Sequence, residues 1–106
     1  MAKQLEYDGT NHRSSTFVPQ TTFIVMGVTI TSGDTYQVQC QPTNVQTSSS
    51  WTKAPGSEDL TNAVLATGVN GSPGFRYRVN RTAGTGARTT TIFYWDHVTS
   101  LRSVYN

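Results

Sequence analysis

Asp96 and His97 are the one place in this chain where an acid and an imidazole stand side by side. A carboxylate that orients a histidine base must share a surface with it, and a nucleophile must lie within reach. The run from Thr90 to Val98 around the pair reads as a strand, and neighbours on a strand point to opposite faces. The pair is therefore not a dyad, and no Gly-x-Ser-x-Gly elbow offers a nucleophile. It reads as a polar strand end. Two histidines, one cysteine and six acids are scattered without Cys-x-x-Cys, His-x-x-x-His or EF-hand spacing. Glu58-Asp59 reads as a solvated loop before it reads as a calcium loop. Nothing in the spacing of Asp34, Asp59 and Asp96 brings two carboxylates onto one sugar. The expectation is a chain that is not an enzyme and that holds no cofactor and no metal.

Binding chemistry is better represented. Arg76 and Arg78 alternate with Phe75, Tyr77 and Val79, so a strand would project them to one face, with Arg81 at its end. Arg88 is expected to join them across a turn, which gives a polar contact face of Arg76, Arg78 and Arg88. Such a stripe is either a solvated strand face that guards a sheet edge, a docking face for an acidic protein, or a nucleic-acid surface. A net charge of +2 weighs against the last. Trp51 and Trp95 are candidate sugar-stacking rings, and Trp51 is the better one because Trp95 sits in a run apolar on both phases. Cys40 is in phase with Tyr36 and Val38 and reads as a buried structural thiol with no disulfide partner. The triplets Asn70-Gly71-Ser72 and Asn80-Arg81-Thr82 fit the glycosylation pattern, but no signal peptide accompanies them.

The elements that must position these residues are strands. Thr21 to Thr31 is apolar on both phases, with Gly27 in mid-run, and Ser32-Gly33-Asp34 turns the chain into Thr35–Gln41. There Tyr36, Val38 and Cys40 alternate with Gln37, Gln39 and Gln41. This predicts one hairpin. Phe75–Arg81, the Gly84-Thr85-Gly86 break and Thr90–Val98 predict a second. Its second limb has no polar phase, so it should be covered on both sides, by a second sheet or another chain. Val45–Trp51 reads as a weaker strand, and Leu60–Val69 as either a short helix or a strand. Val38, Phe75, Tyr77, Val79, Ile92 and Tyr94 are the expected core. The pattern predicts an all-β antiparallel sandwich or jelly roll. An extended N-terminal arm over 1–20 precedes the β domain over 21–98, and a tail over 99–106 follows.

One hundred and six residues suit one domain, and 13% charged residues is low for a soluble one. No apolar run approaches the roughly 20 residues that span a bilayer, and the first residues lack the apolar core of a secretory signal. Leu5, Tyr7, Phe17 and Val18 are too apolar for a plain polar tail. They are expected to anchor the arm in an assembly by adding a strand to a neighbour's sheet edge.

Thr89-Thr90-Thr91-Ile92-Phe93-Tyr94-Trp95-Asp96-His97-Val98-Thr99-Ser100-Leu101 resembles the closing strand of carbohydrate-binding jelly-roll modules, through Asp96, Val98 and Leu101. His97 departs from that pattern where a second aspartate is common. The resemblance implies a glycan site, for which Trp51 is the candidate. The chain as a whole resembles small virion proteins of tailed phages, of the capsid decoration (cement) or head-fibre type. The likeness lies in the N-terminal arm, the Ser/Thr-rich β body, the low charge and the lack of a leader. That resemblance implies a structural protein made in the host cytoplasm and carried on the virion. It would bind capsid or other virion proteins and form a homo-oligomer on the particle. The alternative is a carbohydrate-binding module, and a third reading is a subunit of a non-viral filament or appendage.

Overall fold

The computed structural model describes residues 3–6, 13–14, 16–19, 22–45, 50–86, 89–96 and 102–103. Among them every regular element is a strand: β1 (Lys3–Glu6), β2 (Phe23–Gly27), β3 (Thr35–Pro42), β4 (Thr52–Lys53), β5 (Ala66–Val69), β6 (Phe75–Ala83), β7 (Thr89–Asp96) and β8 (Arg102–Ser103). They form two antiparallel sheets. The larger has the order β1-β7-β2-β5, with β8 also on β7, and the smaller has the order β4-β3-β6. β1 pairs with residues 89–92 of β7 and β8 with residues 93–94, both on the edge that β2 leaves open.

Alternation decides the core. Tyr36, Val38 and Cys40 of β3 and Tyr77 and Val79 of β6 are buried from the smaller sheet. Phe23 and Val25 of β2, Val69 of β5 and Ile92 of β7 are buried from the larger one. The two sets form one cluster, which also holds Ile30, Ala54 and Leu60, with Phe17 and Tyr94 packed against it. Phe75 departs from the expected core: it is 37% exposed, because it pairs with Pro42 where both strands end. β2 ends at Gly27, which has no room for a side chain: a Cβ there would lie 2.8 Å from Ile30 Cδ1. The chain bends away at Val28, and Ile30 turns back into the core.

Neither expected hairpin forms. β2 and β3 lie in different sheets, and so do β6 and β7. The expected turn residues do reverse the chain, with Gly33, Gly84 and Gly86 all at positive φ. A reversal fixes only that the chain comes back. Here both connections lead to the other sheet, and the long pairing of the smaller sheet joins β3 to β6 over eight register positions. The ambiguous stretch from Leu60 to Val69 is extended: Leu60 bridges Tyr36 and is fully buried, and β5 follows. Thr61 Oγ1 accepts from the Ala63 and Val64 amides, and this local turn takes the place of a helix start. Of the strand expected over Val45–Trp51, residues 46–49 lie outside the described residues; the Val45 amide closes the preceding turn on Pro42 O at 3.0 Å, and Ser50 and Trp51 lead into β4.

The described residues among the first twenty are paired to this chain's own sheets. Within this one chain β1 adds a strand to β7, and Arg13, Ser14 and Phe17 line the free edge of β6. Ser14 N donates to Val79 O at 2.8 Å, Phe17 N to Tyr77 O at 3.0 Å, and Tyr77 N to Phe17 O at 2.8 Å. Phe17, expected to anchor the arm on a neighbour, stacks on Tyr94 at 4.2 Å and meets Phe23 edge-on at 5.5 Å inside its own domain. A tethered segment reaches these edges at high effective concentration, which a second chain must match by association. Open edges of β6 and β7 are thereby covered from within.

Candidate functional site

The outer face of the smaller sheet carries the most organised polar cluster of the described residues. Its register sets Gln37 opposite Asn80, Gln39 opposite Arg78 and Gln41 opposite Arg76. Residues directly opposite on an antiparallel pair share a face. Arg78 Nε donates to Gln39 Oε1 at 2.9 Å, and Gln39 Nε2 donates to Gln37 Oε1 at 2.9 Å. Arg76 Nε donates to Gln41 Oε1 at 2.7 Å, and its Nη2 donates both to that oxygen and to Val45 O. Gln41 Nε2 in turn donates to Ser50 Oγ at 2.8 Å. The amide oxygens of Gln39 and Gln41 are thus occupied by guanidinium groups, and the guanidinium planes are held in place.

Trp51 roofs this ladder. Arg78 Cζ lies 4.3 Å from the centre of its ring and Arg76 Cζ 5.4 Å. Both distances are within the range of cation–π attraction. The indole is half-buried, and Arg78 is only 9% exposed although it projects from the outer phase of β6. Burial pulls the Arg78 guanidinium down to about 10, and the neighbouring charges of Arg13 and Arg76 push the same way. Arg13 reaches the face through its bridge to Asn80. Lys53, opposite Gln39 on β4, stands on the same face and pairs with Asp59 at 3.5 Å. Among the described residues no carboxylate is paired with Arg13, Arg76 or Arg78.

Two separate expectations from the sequence therefore meet at one place: the arginine face and the stacking candidate Trp51. Arg81, placed at the end of the same stripe, does not belong to it. It is in the inward phase with Tyr77 and Val79 and pairs with Asp34 at 3.7 Å. Val18 is exposed, and Leu5 is placed in β1 by its backbone. Tyr7, Arg88, His97, Leu101, Val104 and Tyr105 lie outside the described residues. Arg13, Lys53 and the three glutamines are members of the face that sequence reasoning did not single out. The runs Gln37-Gln39-Gln41 and Arg76-Arg78-Asn80 both alternate visibly, but their pairing across 35 or more residues leaves no local trace.

The face can hold anions and stack planar groups, and nothing in it supplies a nucleophile beside a base. Among the described residues no three His, Cys, Asp or Glu side chains gather where they could hold a metal. No protein-family model, no curated protein and no solved structure matches the chain.

Proposed function

We propose that the two sheets form a β-sandwich of the jelly-roll kind whose role is structural. The protein is read as a virion component of a tailed phage, a capsid decoration or cement subunit. It docks on a shell protein through the outer face of its smaller sheet. The observation that carries this reading is the Arg76–Trp51–Arg78 stack. Its cations are already oriented by Gln39, Gln41 and the Val45 carbonyl, and no carboxylate of the described residues pairs with them. Side chains fixed before contact lose little entropy on binding, so they favour protein docking. A cation face also steers encounter with an acidic surface.

The test is co-sedimentation with purified phage heads stripped of minor proteins. Binding at a fixed copy number per head, lost in Trp51→Ala, supports the reading. Failure to bind heads rules it out. The alternative, a carbohydrate-binding module, draws on the half-buried Trp51 ring beside polar side chains. Against it, the amide oxygens of Gln39 and Gln41 are already taken by the arginines. A glycan array with hits that vanish in Trp51→Ala would favour this alternative over docking.

A further inference from the structure

The cations of the outer face have a spacing as well as a charge. Arg76 and Arg78 are two residues apart on one strand, so their Cα atoms stand about 6.8 Å apart along it. The bridge between Arg13 and Asn80 sets a third cation on the same face level with the next step, one strand to the side and about 5 Å off the line. What faces this row is uncharged on β3, where Gln37, Gln39 and Gln41 stand opposite. On β4 it is Lys53, which already has Asp59 as its partner. Among the described residues Trp51 and Ser50 also border it.

The donors left over also follow a pattern. Arg78 uses Nε for Gln39, and among the described residues its Nη1 and Nη2 have no hydrogen-bond partner. Arg76 uses Nε and Nη2, which leaves Nη1. A guanidinium with two adjacent donors available takes a carboxylate in bidentate fashion. An extended polypeptide repeats its side chains on one face at the same interval of about 6.8 Å. A segment with acids at alternate positions would thus bring one carboxylate to each cation of the row.

We infer that the row Arg76, Arg78 and Arg13 is a binding site for an extended acidic polypeptide segment, with Asp or Glu at every second position, in the partner protein. The inference rests on reading this face as the docking surface, and it specifies the chemistry of what docks. Burial first, and then repulsion from Arg13 and Arg76, lowers the affinity of Arg78 for its proton, and the repulsive part is relieved when carboxylates arrive. Nucleic acid fits less well. Its affinity grows with the number of phosphates neutralised, and three cations are few. A base would also have to compete with Arg78 for the Trp51 ring.

The test uses three probes against the full chain at low salt, followed by calorimetry. One is a seven-residue peptide with glutamates at alternate positions among serines. The second has the same composition with its three glutamates consecutive, and the third is a short oligothymidylate of equal charge. The alternating peptide should bind about two- to fivefold tighter than the consecutive one, the factor expected from one well-formed ion pair. Arg13→Gln, an exposed change that leaves the melting temperature alone, should weaken it by about the same factor. Arg78→Lys keeps the charge but loses the fork, and it should weaken binding as well. Equal affinity for both peptides would reduce the site to undirected charge and overturn the inference. Tighter binding of the oligonucleotide, or no binding of either peptide, would overturn it too. Head co-sedimentation in parallel separates the two levels. Heads bound without peptide binding leave the docking reading standing and this inference refuted. Peptide bound without heads does the reverse.

Discussion

Arg81 Nη1 stands 3.7 Å from Asp34 Oδ2, and the two side chains are 1% and 2% exposed. Arg81 Nη1 also donates to Gly86 O at 3.1 Å. Asp34 belongs to the connection from β2 to β3, and Gly86 to the connection from β6 to β7. Both connections cross from one sheet to the other. The ion pair therefore ties the two crossings together at one end of the molecule. Arg81 points inward by the unbroken alternation of Tyr77, Val79 and Arg81, in the regular register that pairs Tyr36 with Arg81, and the register shifts only beyond it, between Tyr36 and Thr35.

Asp34→Asn keeps the shape and removes the charge, which leaves Arg81 buried without its counterion. It should cost about 3–5 kcal/mol in urea unfolding. Asp34→Asn with Arg81→Met should recover at least about 1 kcal/mol relative to the sum of the single changes. Additive losses would mean that the pair does not couple the crossings.

Gly84→Ala tests the same corner from the backbone. Gly84 has φ +117°, and a Cβ there would collide with Asp34 Oδ1 and lie 3.2 Å from Arg81 Nε. The variant should lose at least about 1 kcal/mol from φ strain alone, and more from displacing the pair. A wild-type melting curve would show that the corner adapts freely.

Phe17 and Phe75 should exchange the roles that their sequence neighbourhoods assign them. Phe17 joins Phe23, Tyr77 and Tyr94 in one aromatic cluster, so Phe17→Ala should cost about 2–4 kcal/mol. Phe75→Ala should cost about 1 kcal/mol or less, since a strand-end ring buries little. Removing residues 1–19 should lower the melting temperature sharply, because it strips β1 and the cover of the β6 edge. A truncated chain with unchanged stability would restore the picture of a detachable arm.

Cys40 is buried against β4, and burial pushes its thiol above the ordinary range. The thiolate is the reactive form, so alkylation at pH 8 should be at least about tenfold slower in the native protein than in urea. Native labelling at the free-thiol rate would show that β4, only two residues long, leaves β3 readily.

The part of this molecule that could be read from the sequence is the part set by neighbouring residues. Strict alternation over Thr35–Gln41 and Phe75–Arg81 gave the inward residues Tyr36, Val38, Cys40, Tyr77 and Val79, all of which are buried. Which strands lie side by side was not readable. Gly33 and Gly84 mark reversals, but whether the chain returns along one sheet or crosses to the other is set by contacts far apart in sequence, such as that of Asp34 with Arg81, 47 residues away. The candidate site divides in the same way. Arg76 and Arg78 were placed on one face by period alone, whereas Trp51 joins them only because the chain returns over β3 to form β4. On β2 both phases are apolar, and the sequence could not say that Ile24, 50% exposed, faces outward on the larger sheet.

Trp51 and Ile24 stand on the outer faces of opposite sheets, so a single footprint can assign the docking surface. Hydroxyl-radical footprinting read by mass spectrometry, on the free protein and on protein bound to phage heads, compares Trp51 with Ile24 and Met26. On heads, oxidation of Trp51 should fall several-fold while Ile24 and Met26 keep their free-state rates. Unchanged Trp51 with protected Ile24 and Met26 would place the contact on the larger sheet and contradict docking through the arginine face.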